Sequence, residues 1–427
     1  MTERFNLIDF LKTSLEKDGI ELDEIDVLIG EKIYYYGDHF ISPQSEFKLS
    51  LKQLLVESLK LIYGLALTII YKKNKIDVVS SSYFDVNERL TKSGYDVARP
   101  PWSIKIGFPV AGGFILFFKT IVLKNKIRRL SFNQLVDHEF NKLCLEYDRI
   151  LESWLQMSEV KAVIVPNDMA FFEKRLIRIA KRNNIPSFVF LHGLPGRYNL
   201  IDDNRTDYLI VWGDKIKEYY IKAGFNPDKL IISGHPNYSL VANVEILPSS
   251  FDDVLVITKS LNGNHHSDGV VLGDRGNLIL YLLSIEKVLR TFGVNKVRYR
   301  PHPSENINWY KQYLDPEFFI PDRYLLNDSI NKATLIIGPT STIFLESLFR
   351  GKNYVIYELS NGEFDILNQK LVQPFDGSDA YIPVAKSEMD LCLLLSEKRQ
   401  VDPKILGQYF KSSFDLTFTK YFKNIEK

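Results

Sequence analysis

The chain has 427 residues, more than one ordinary hydrophobic core holds, which favours two domains of roughly 200 residues each. Hydrophobic residues make up 45% and charged residues 25%, as in a globular protein, and a formal net charge of +1 argues against a nucleic-acid partner. The only two cysteines, Cys144 and Cys392, exclude a disulfide framework and match no metal-ligand spacing, which fits a cytoplasmic location.

Two apolar runs, at 59–71 and 107–123, are shorter than the roughly 20 residues of a membrane-spanning helix. The simpler interpretation is a pair of buried helices. The alternative is an interfacial surface that contacts a membrane peripherally, because basic residues lie in and after the second run. These residues are Lys119, Lys124, Lys126, Arg128 and Arg129. The N-terminus contains acidic residues and no uninterrupted apolar stretch, so it does not match a secretory signal.

Short β-rich runs alternate with longer amphipathic stretches, which predicts parallel α/β architecture. An N-terminal, acceptor-binding domain is predicted over residues 1–245. Its candidate strands are 26–30, 76–79, 162–165, 187–191, 208–211 and 229–233, and its clearest helices are 171–183 and 215–223.

A second strand series follows a linker at 240–251 and predicts a C-terminal, donor-binding domain over residues 250–404. The candidate strands are 254–258, 296–300, 334–337 and 354–357, with a helix at 278–291. Residues 262–277 are rich in glycine and polar side chains, which indicates a loop. A last helix is predicted over 405–427, packed back on the N-terminal domain.

Ligand sites in open α/β sheets lie at the carboxyl ends of the strands, and two candidate bases lie there in the N-terminal half. Asp168 is placed either to cap the helix that follows it or to act as a general base. His192 precedes Gly193, which allows a ligand to approach closely, and it is the second candidate base. Glu173 is predicted to be a solvated helix residue, and His235 to lie in a turn near the interdomain hinge.

The segment Arg300–Pro303 places a histidine at the end of a strand. Pro301 ends the strand and Pro303 restricts the backbone of His302. That histidine could donate a hydrogen bond to a phosphate or protonate a leaving oxygen, and Arg300 could add a forked cation beside it. An ordinary turn is the alternative.

The turn Pro339–Thr342 follows another apolar strand and precedes a helix. The hydroxyls of Thr340, Ser341 and Thr342 then fall at a helix start, where free N–H groups and the helix dipole favour an anion. Simple N-capping is the alternative. Glu346, one turn further along, is placed either to bind a ribose hydroxyl or to lie on the surface. Together with His302, the turn predicts a phosphate cradle for a nucleotide-activated donor, with no need for a metal.

These motifs occur in the order found in a known group of enzymes. Residues 161–240 resemble the N-terminal half of GT-B proteins like the non-hydrolysing UDP-N-acetylglucosamine 2-epimerases, and LIIGPTSTIFLESLFRGKNYVIYE resembles their donor-binding strand, turn and helix. His302 with Thr340–Thr342 is similar to the motifs of bacterial CMP-sialic acid and CMP-Kdo transferases. His192 with Arg300–Pro303 is similar to motifs of wall-polymer polyol-phosphate transferases. The chain departs from these families in lacking a clear acidic motif in its N-terminal half.

The resemblance implies an α/β, GT-B fold: two Rossmann-like domains facing across a cleft. It also implies a metal-independent glycosyltransferase without a cofactor, which moves a sugar from a nucleotide donor, CMP-Kdo or CMP-sialic acid being favoured, to a surface-polysaccharide or lipid-linked glycan acceptor. The implied catalytic residues are Asp168, His192 and His302. The implied donor-binding residues are Arg300, His302, Pro303, Thr340, Ser341, Thr342 and Glu346. The alternatives are a UDP-sugar transferase, a CDP-dependent polyol-phosphate transferase, a 2-epimerase and a non-catalytic sugar-nucleotide-binding subunit.

Overall fold

The computed structural model describes most of the chain from residue 51 onward. The described residues are 51–70, 75–82, 84, 86–129, 138–168, 170–194, 204–239, 244–258, 276–302, 311–361, 364–365, 371–373 and 375–423. The predicted strand at 26–30, Pro303 and nearly all of the predicted loop at 262–277 lie outside these residues.

The N-terminal domain is built on a parallel six-stranded sheet. Its strands are β1 (Val78–Ser80), β2 (Val97–Ala98), β3 (Ala162–Val165), β4 (Ser187–Phe190), β5 (Tyr208–Val211) and β6 (Leu230–Ile232). The spatial order is β2-β1-β3-β4-β5-β6, and every pair is parallel. This is the order of a doubly wound sheet that reverses direction between β1 and β3. The strands are almost wholly buried, because helices cover parallel sheets on both faces.

Six helices lie among the described residues of this half of the chain. They are α1 (Leu51–Ile70), α2 (Val86–Lys92), α3 (Gly113–Arg129), α4 (His138–Met157), α5 (Phe171–Arg182) and α6 (Asp214–Lys222). Helices α4 and α5 are joined by a buried ion pair between Asp148 and Arg175. Because α5 begins just after the carboxyl end of β3, this pair fixes a helix that borders the cleft.

The C-terminal domain has a second parallel six-stranded sheet. Its strands are β7 (Val254–Ile257), β8 (Val297–Arg300), β9 (Phe319–Pro321), β10 (Leu335–Gly338), β11 (Tyr354–Tyr357) and β14 (Val384–Ala385), with a small antiparallel pair, β12 (Ser360–Asn361) and β13 (Phe364–Asp365), beside it. The order β14-β11-β10-β7-β8-β9 is the Rossmann order 3-2-1-4-5-6 read from the other edge. The predicted fold of two Rossmann-like domains is therefore confirmed.

The other helices of the described residues cover the C-terminal sheet or extend beyond it. They are α7 (Gly276–Thr291), α8 (Leu326–Lys332), α9 (Thr342–Phe349), α10 (Glu388–Ser396) and α11 (Lys404–Tyr409), with 3₁₀ turns at Pro227–Lys229, Lys311–Tyr313 and Thr417–Tyr421. Helix α9 begins directly after the hydroxyl-rich turn that follows β10. The chain thus places that turn at the amino end of a helix, as the sequence predicts.

The last described residues return to the N-terminal domain, although they do not form the helix predicted over 405–427. The four-residue spacing of phenylalanines at 410, 414, 418 and 422 imitates a helical period. Backbone bonds to the N-terminal domain replace the helical ones: Lys411 N donates to Trp212 O at 2.8 Å, and Asp415 N donates to Ser233 O at 2.9 Å. A Cβ at Gly213 would lie 2.4 Å from the carbonyl oxygen of Tyr409, so only glycine admits this segment.

Helices α1 and α3 pack together, and their outer faces are apolar and exposed. A Cβ at Gly64 of α1 would lie 2.0 Å from the ring of Phe117 of α3, so the helices approach closely. The exposed apolar residues include Leu55, Leu59, Ile62, Ile69 and Ile70 of α1 and Phe114, Ile115 and Phe118 of α3. The expectation that both runs are buried helices is therefore wrong for their outer faces. In the part of the chain that the structure describes, no helix is long and apolar enough to cross a membrane.

Candidate functional site

The two predicted halves of the phosphate cradle lie at the same edge of the C-terminal sheet. His302 follows β8 and Thr340 follows β10, and β7 is the strand between them. Neighbouring strands are about 4.8 Å apart, so the ends of β8 and β10 are separated by about 10 Å. The sheet reverses its winding between β7 and β10, which is the position where nucleotides bind in folds of this class. The geometry therefore supports a cradle assembled from both turns.

The hydroxyl-rich turn carries a polar atom without a partner. Ser341 caps α9, and its hydroxyl accepts from Ile343 N at 3.3 Å. Thr340 N donates to Glu358 Oε1 at 2.5 Å, whereas Thr340 Oγ1 is buried and has no hydrogen-bond partner among the described residues. Leaving such a hydroxyl unsatisfied costs about 1–3 kcal/mol, which makes it a natural contact for a ligand oxygen.

The shape of this turn depends on Tyr354, which the sequence did not single out. Its hydroxyl donates to the carbonyl oxygen of Pro339 at 2.6 Å. A Cβ at Gly338 would lie 2.2 Å from that hydroxyl oxygen. Gly338 is therefore required for space beside Tyr354.

Glu346 takes part in a contact between the domains. The hydroxyl of Tyr238, from the end of the N-terminal domain, hydrogen-bonds its carboxylate. Burial raises the pKa of Glu346, and burial together with the Glu346 charge raises the pKa of Tyr238 to about 12. The Tyr238 ring also stacks on Phe349 of α9 at 4.8 Å between ring centroids. Glu346 therefore has a hydrogen-bond partner, Tyr238, at the contact between the two domains.

Arg300 forms hydrogen bonds that connect the end of β8 to the segment after β9. Its Nη1 donates to Asp322 Oδ2 at 2.8 Å and to the carbonyl oxygen of Tyr324 at 2.9 Å, while Arg298 Nη1 donates to Asp322 Oδ1 at 3.1 Å. Burial alone would raise the pKa of Asp322, but hydrogen bonds from Ser329, Arg300 and Arg298 hold it below its ordinary value. The forked cation expected at Arg300 is therefore partly neutralised by a buried carboxylate.

His302 is presented to solvent at the end of β8. Its side chain is exposed, and its backbone N–H donates to Thr258 Oγ1 at 3.1 Å, which ties the turn to the end of β7. Burial by the surrounding protein lowers the pKa of His302 below its ordinary value. The imidazole is consequently neutral at pH 7, with one nitrogen able to donate to an anion.

The turn after β4 reaches the cradle from the opposite domain. Leu194 N donates to Thr342 Oγ1 at 3.3 Å, and a Cβ at Gly193 would lie 3.0 Å from the same oxygen. His192 immediately precedes these two residues. The residue reaches solvent, but the protein atoms around the imidazole desolvate it and lower its pKa. A neutral histidine therefore stands next to the donor side of the cleft.

The reversal point of the N-terminal sheet, between β1 and β3, holds Ser81 and Asp168. Asp168 is 2% exposed, and its Oδ2 accepts from Arg205 N at 2.8 Å. Ser81 Oγ is buried with no hydrogen-bond partner within the described part of the chain, and no sequence pattern singles it out. Asp168 thus anchors a neighbouring loop from a buried position.

Glu173 is not the solvated helix residue that the sequence predicts. It is 7% exposed, and Trp102 Nε1 donates to its Oε1 at 2.8 Å. Burial raises its pKa. The error arises because the helical period cannot show that Trp102, 71 residues earlier, covers this face of α5.

His235 belongs to an aromatic core rather than to the cleft. Its ring is 2% exposed and lies 4.6 Å from the Trp212 ring and 4.5 Å from the Tyr238 ring, measured between centroids. Its Nδ1 accepts from Asn237 N at 3.1 Å, which requires the neutral imidazole. Burial lowers the pKa of His235 to about 3.

This histidine should make folding stability sensitive to acid. Its folded pKa lies below the ordinary 6.5, so the stability it contributes is complete above pH 6.5 and is lost as the pH falls toward 3. Between pH 6.5 and 4.5 we expect a loss of about 2 kcal/mol from this group alone. Urea denaturation across that range should show the loss in the wild type and a shallower pH dependence in His235→Phe. Equal slopes would contradict this assignment.

Two sequence comparisons gave no match: neither a protein-family model nor a characterised protein is similar enough to this chain. Among solved structures, an S. aureus MnaA–UDP complex aligns with a TM-score of 0.46 at 10% identity. The alignment covers 80% of this chain and 93% of the MnaA chain. The Neisseria meningitidis UDP-GlcNAc 2-epimerase bound to UDP-GlcNAc has a TM-score of 0.42 at 13% identity, covering 79% and 95%. The wall teichoic acid polymerase TagF, as one of its variants, has a TM-score of 0.42 at 10% identity, covering 88% and 96%. Similarities of this size select neither a donor nor a reaction.

No cluster of three or more His, Cys, Asp and Glu side chains suited to a metal ion occurs in the described residues. Among the described residues, the cleft offers a ligand histidines, hydroxyls and the amino end of α9.

Proposed function

We propose that the protein is a glycosyltransferase that uses a nucleotide-activated sugar. The observation that carries the proposal is the contact between Leu194 N and Thr342 Oγ1. It brings the start of α9, where an anionic phosphate is stabilised, against the turn that holds His192. A donor bound at one side and an acceptor at the other would then meet between two neutral histidines.

On the donor side, the nucleotide phosphate lies at the amino end of α9. Thr340 Oγ1 supplies its unused hydroxyl, and His302 donates to a phosphate oxygen. These groups stabilise the charge that grows on the phosphate as the bond from the anomeric carbon to the phosphate oxygen breaks. The bonding electrons leave with the nucleotide, so the preorganised donors lower the barrier without a metal.

On the acceptor side, His192 accepts the proton of the attacking hydroxyl, and the acceptor oxygen forms the new bond to the anomeric carbon. The lowered pKa keeps His192 unprotonated at pH 7, as a base requires. Asp168 is the alternative base, but its carboxylate is buried and already accepts from Arg205 N. We therefore assign His192 as the base and Asp168 as a positioning residue.

A CMP-sugar is the proposed donor, because one helix start, one free hydroxyl and one histidine suit a single phosphate. Thermal-shift measurements with CMP, CDP and UDP test this choice. We expect CMP to raise the melting temperature of the wild type, and Thr340→Val to reduce the shift by removing the hydroxyl that is free. A shift with UDP alone would contradict the donor, and no shift with any of the three nucleotides would contradict the proposed function.

We also propose that the outer faces of α1 and α3 rest on an anionic membrane, which would deliver a lipid-linked acceptor. Exposed apolar side chains lie on both helices, and α3 also carries the exposed Lys124 and Lys126, a combination typical of interfacial helices. Each lysine near an anionic surface contributes about 1 kcal/mol, and salt weakens this contribution.

Vesicle sedimentation tests the membrane proposal. We expect binding to vesicles containing phosphatidylserine, weaker binding at high salt, and a loss of about tenfold or more in the double variant Phe114→Ser and Phe118→Ser, since each substitution removes up to about 2 kcal/mol of apolar contact. Leu325→Ser, at a more exposed apolar site in the other domain, is the control. Equal binding by the two variants would contradict this contact surface.

A further inference from the structure

A cavity of about 170 Å³ lies at the opposite end of the C-terminal sheet from the cradle. Its floor is formed by Leu335 and Val355, close to the amino ends of β10 and β11, whereas the cradle follows their carboxyl ends. Four-residue strands separate the two regions by roughly 10 Å. The cavity is therefore distinct from the proposed donor site.

The walls of this cavity are mainly apolar. Phe251 and the leucines at 394 and 395 complete the apolar part of the lining around Leu335 and Val355. The polar atoms of Asn353 are used elsewhere: its Nδ2 donates to Ser249 Oγ and to the carbonyl oxygen of Arg399, both at 2.9 Å, and its Oδ1 accepts from Val401 N at 3.2 Å. The side-chain amide of Asn353 therefore already has its hydrogen-bond partners, and an apolar group can enter the cavity without leaving the amide unsatisfied.

The size of the cavity limits what it can hold. An apolar cavity of about 150 Å³ accommodates benzene in another protein. The space here suits an aryl ring or a short alkyl chain, and it is too small for a nucleotide.

Two cations stand at the rim. Lys398 and Arg399 line the cavity with exposed side chains, and neither forms an ion pair with any residue that the structure describes. Lys398 also has a φ of 50° at the end of α10, a left-handed conformation that glycine adopts more easily. A lysine at this position retains a positive charge beside the cavity where backbone geometry favours glycine.

We propose that this cavity binds a small amphiphilic anion, an aryl or short alkyl group joined to one carboxylate or phosphate. The apolar part fills the space between the sheet and α10, and the anionic group lies at Lys398 and Arg399. Ser249, Ser250 and Phe251 of the interdomain linker contribute to the lining. A bound molecule would therefore contact the segment that connects the two domains.

Titration of the full chain with phenyl phosphate, followed by calorimetry, tests the proposal. We expect saturable binding of one molecule, and at least about fivefold weaker binding of benzyl alcohol or inorganic phosphate, each of which retains half of the ligand chemistry. Leu394→Trp, at a half-buried rim position, should fill the opening and weaken phenyl phosphate binding by about tenfold or more.

Lys398→Gly separates binding from stability. It removes the charge and relieves the left-handed backbone, so we expect an unchanged or raised melting temperature together with about fivefold weaker binding. Lys296→Gln, at another exposed lysine, should leave binding unchanged. Thr342→Val is the control for the donor cradle and should also leave it unchanged.

Several results would overturn the proposal. Equal affinities for the wild type and Leu394→Trp would show that the cavity is not the site. Loss of binding in Thr342→Val alone would place the probe in the cradle instead. Absence of saturable binding by the wild type would also refute the site, independently of whether the proposed transfer reaction occurs.

Discussion

Replacing His302 by alanine is expected to lower the rate of sugar transfer by about 10²- to 10⁴-fold, the range found when a positioned acid–base or hydrogen-bonding histidine is removed. The side chain is exposed at the end of β8, and its backbone is held to Thr258 at the end of β7. Because the residue is exposed at the end of a strand, the substitution should leave the fold intact. The loss should therefore appear in kcat while the melting temperature changes by little.

The measurement is single-turnover transfer from a CMP-sugar, with the wild type, His302→Ala, His192→Ala and Asp168→Asn compared under the same conditions. If His192 is the base, its replacement should cost a similar factor, and the wild type should lose activity as acid protonates it. The lowered pKa of His192 and of His302 places that loss below pH 6.5. Lys296→Gln serves as the exposed-surface control.

Two outcomes would reject this mechanism. An unchanged rate of sugar transfer in His302→Ala would show that the histidine does not act in the cradle. A larger loss in Asp168→Asn than in His192→Ala, at equal stability, would make the aspartate the base despite its burial.

The sequence predicts the sheet well because buried parallel strands are short apolar runs that end in polar turns. The strands at 162–165, 208–211 and 354–357 have the predicted bounds. The prediction of a helix over 405–427 is wrong for a physical reason. Phenylalanines spaced by four residues favour a helix, but the backbone N–H groups of neighbouring residues donate to the N-terminal domain instead. No local pattern contains that information, since the partners are about 200 residues away.

The same limit applies to the cleft. The positions of His302 and Thr340 at strand ends are predictable, because proline and hydroxyl residues directly after an apolar run mark the end of a strand. The contacts of Glu346 with Tyr238, and of Pro339 with Tyr354, join residues distant in the sequence and were not. Arg300 illustrates a related error, because an arginine beside a histidine suggests an anion site until Asp322 is placed against it.

Replacing Asp148 by alanine is expected to destabilise the protein by about 3–5 kcal/mol, the range for removing one partner of a buried ion pair. Arg175 has no exposed side-chain surface, and it donates through Nε to Asp148 Oδ1 at 2.8 Å and through Nη2 to Oδ2 at 2.9 Å. Arg178 adds a third bond to Oδ2 at 2.8 Å. Without the carboxylate, a guanidinium remains buried beside the Phe171 ring without its counter-charge.

Chemical denaturation of Asp148→Ala and of Glu146→Ala checks this prediction. Glu146 lies on the same helix, α4, and pairs with Lys119 at the surface, so its loss should cost no more than about 1 kcal/mol. A second variant, Asp148→Ala with Arg175→Met, should recover much of the stability, because it removes the buried guanidinium of Arg175 together with the carboxylate. Similar losses in Asp148→Ala and Glu146→Ala would contradict the buried pair.

The pair also bears on function, since α5 begins directly after the turn that holds Asp168. An α5 that shifts when Asp148 is lost would move that turn and, through Arg205 N, the loop that leads into β5. Transfer activity in Asp148→Ala should therefore fall even in the fraction that remains folded, whereas restoring the packing with Arg175→Met should restore activity together with stability. Recovery of stability without activity would mean that the charge itself, rather than the position of α5, serves the cleft.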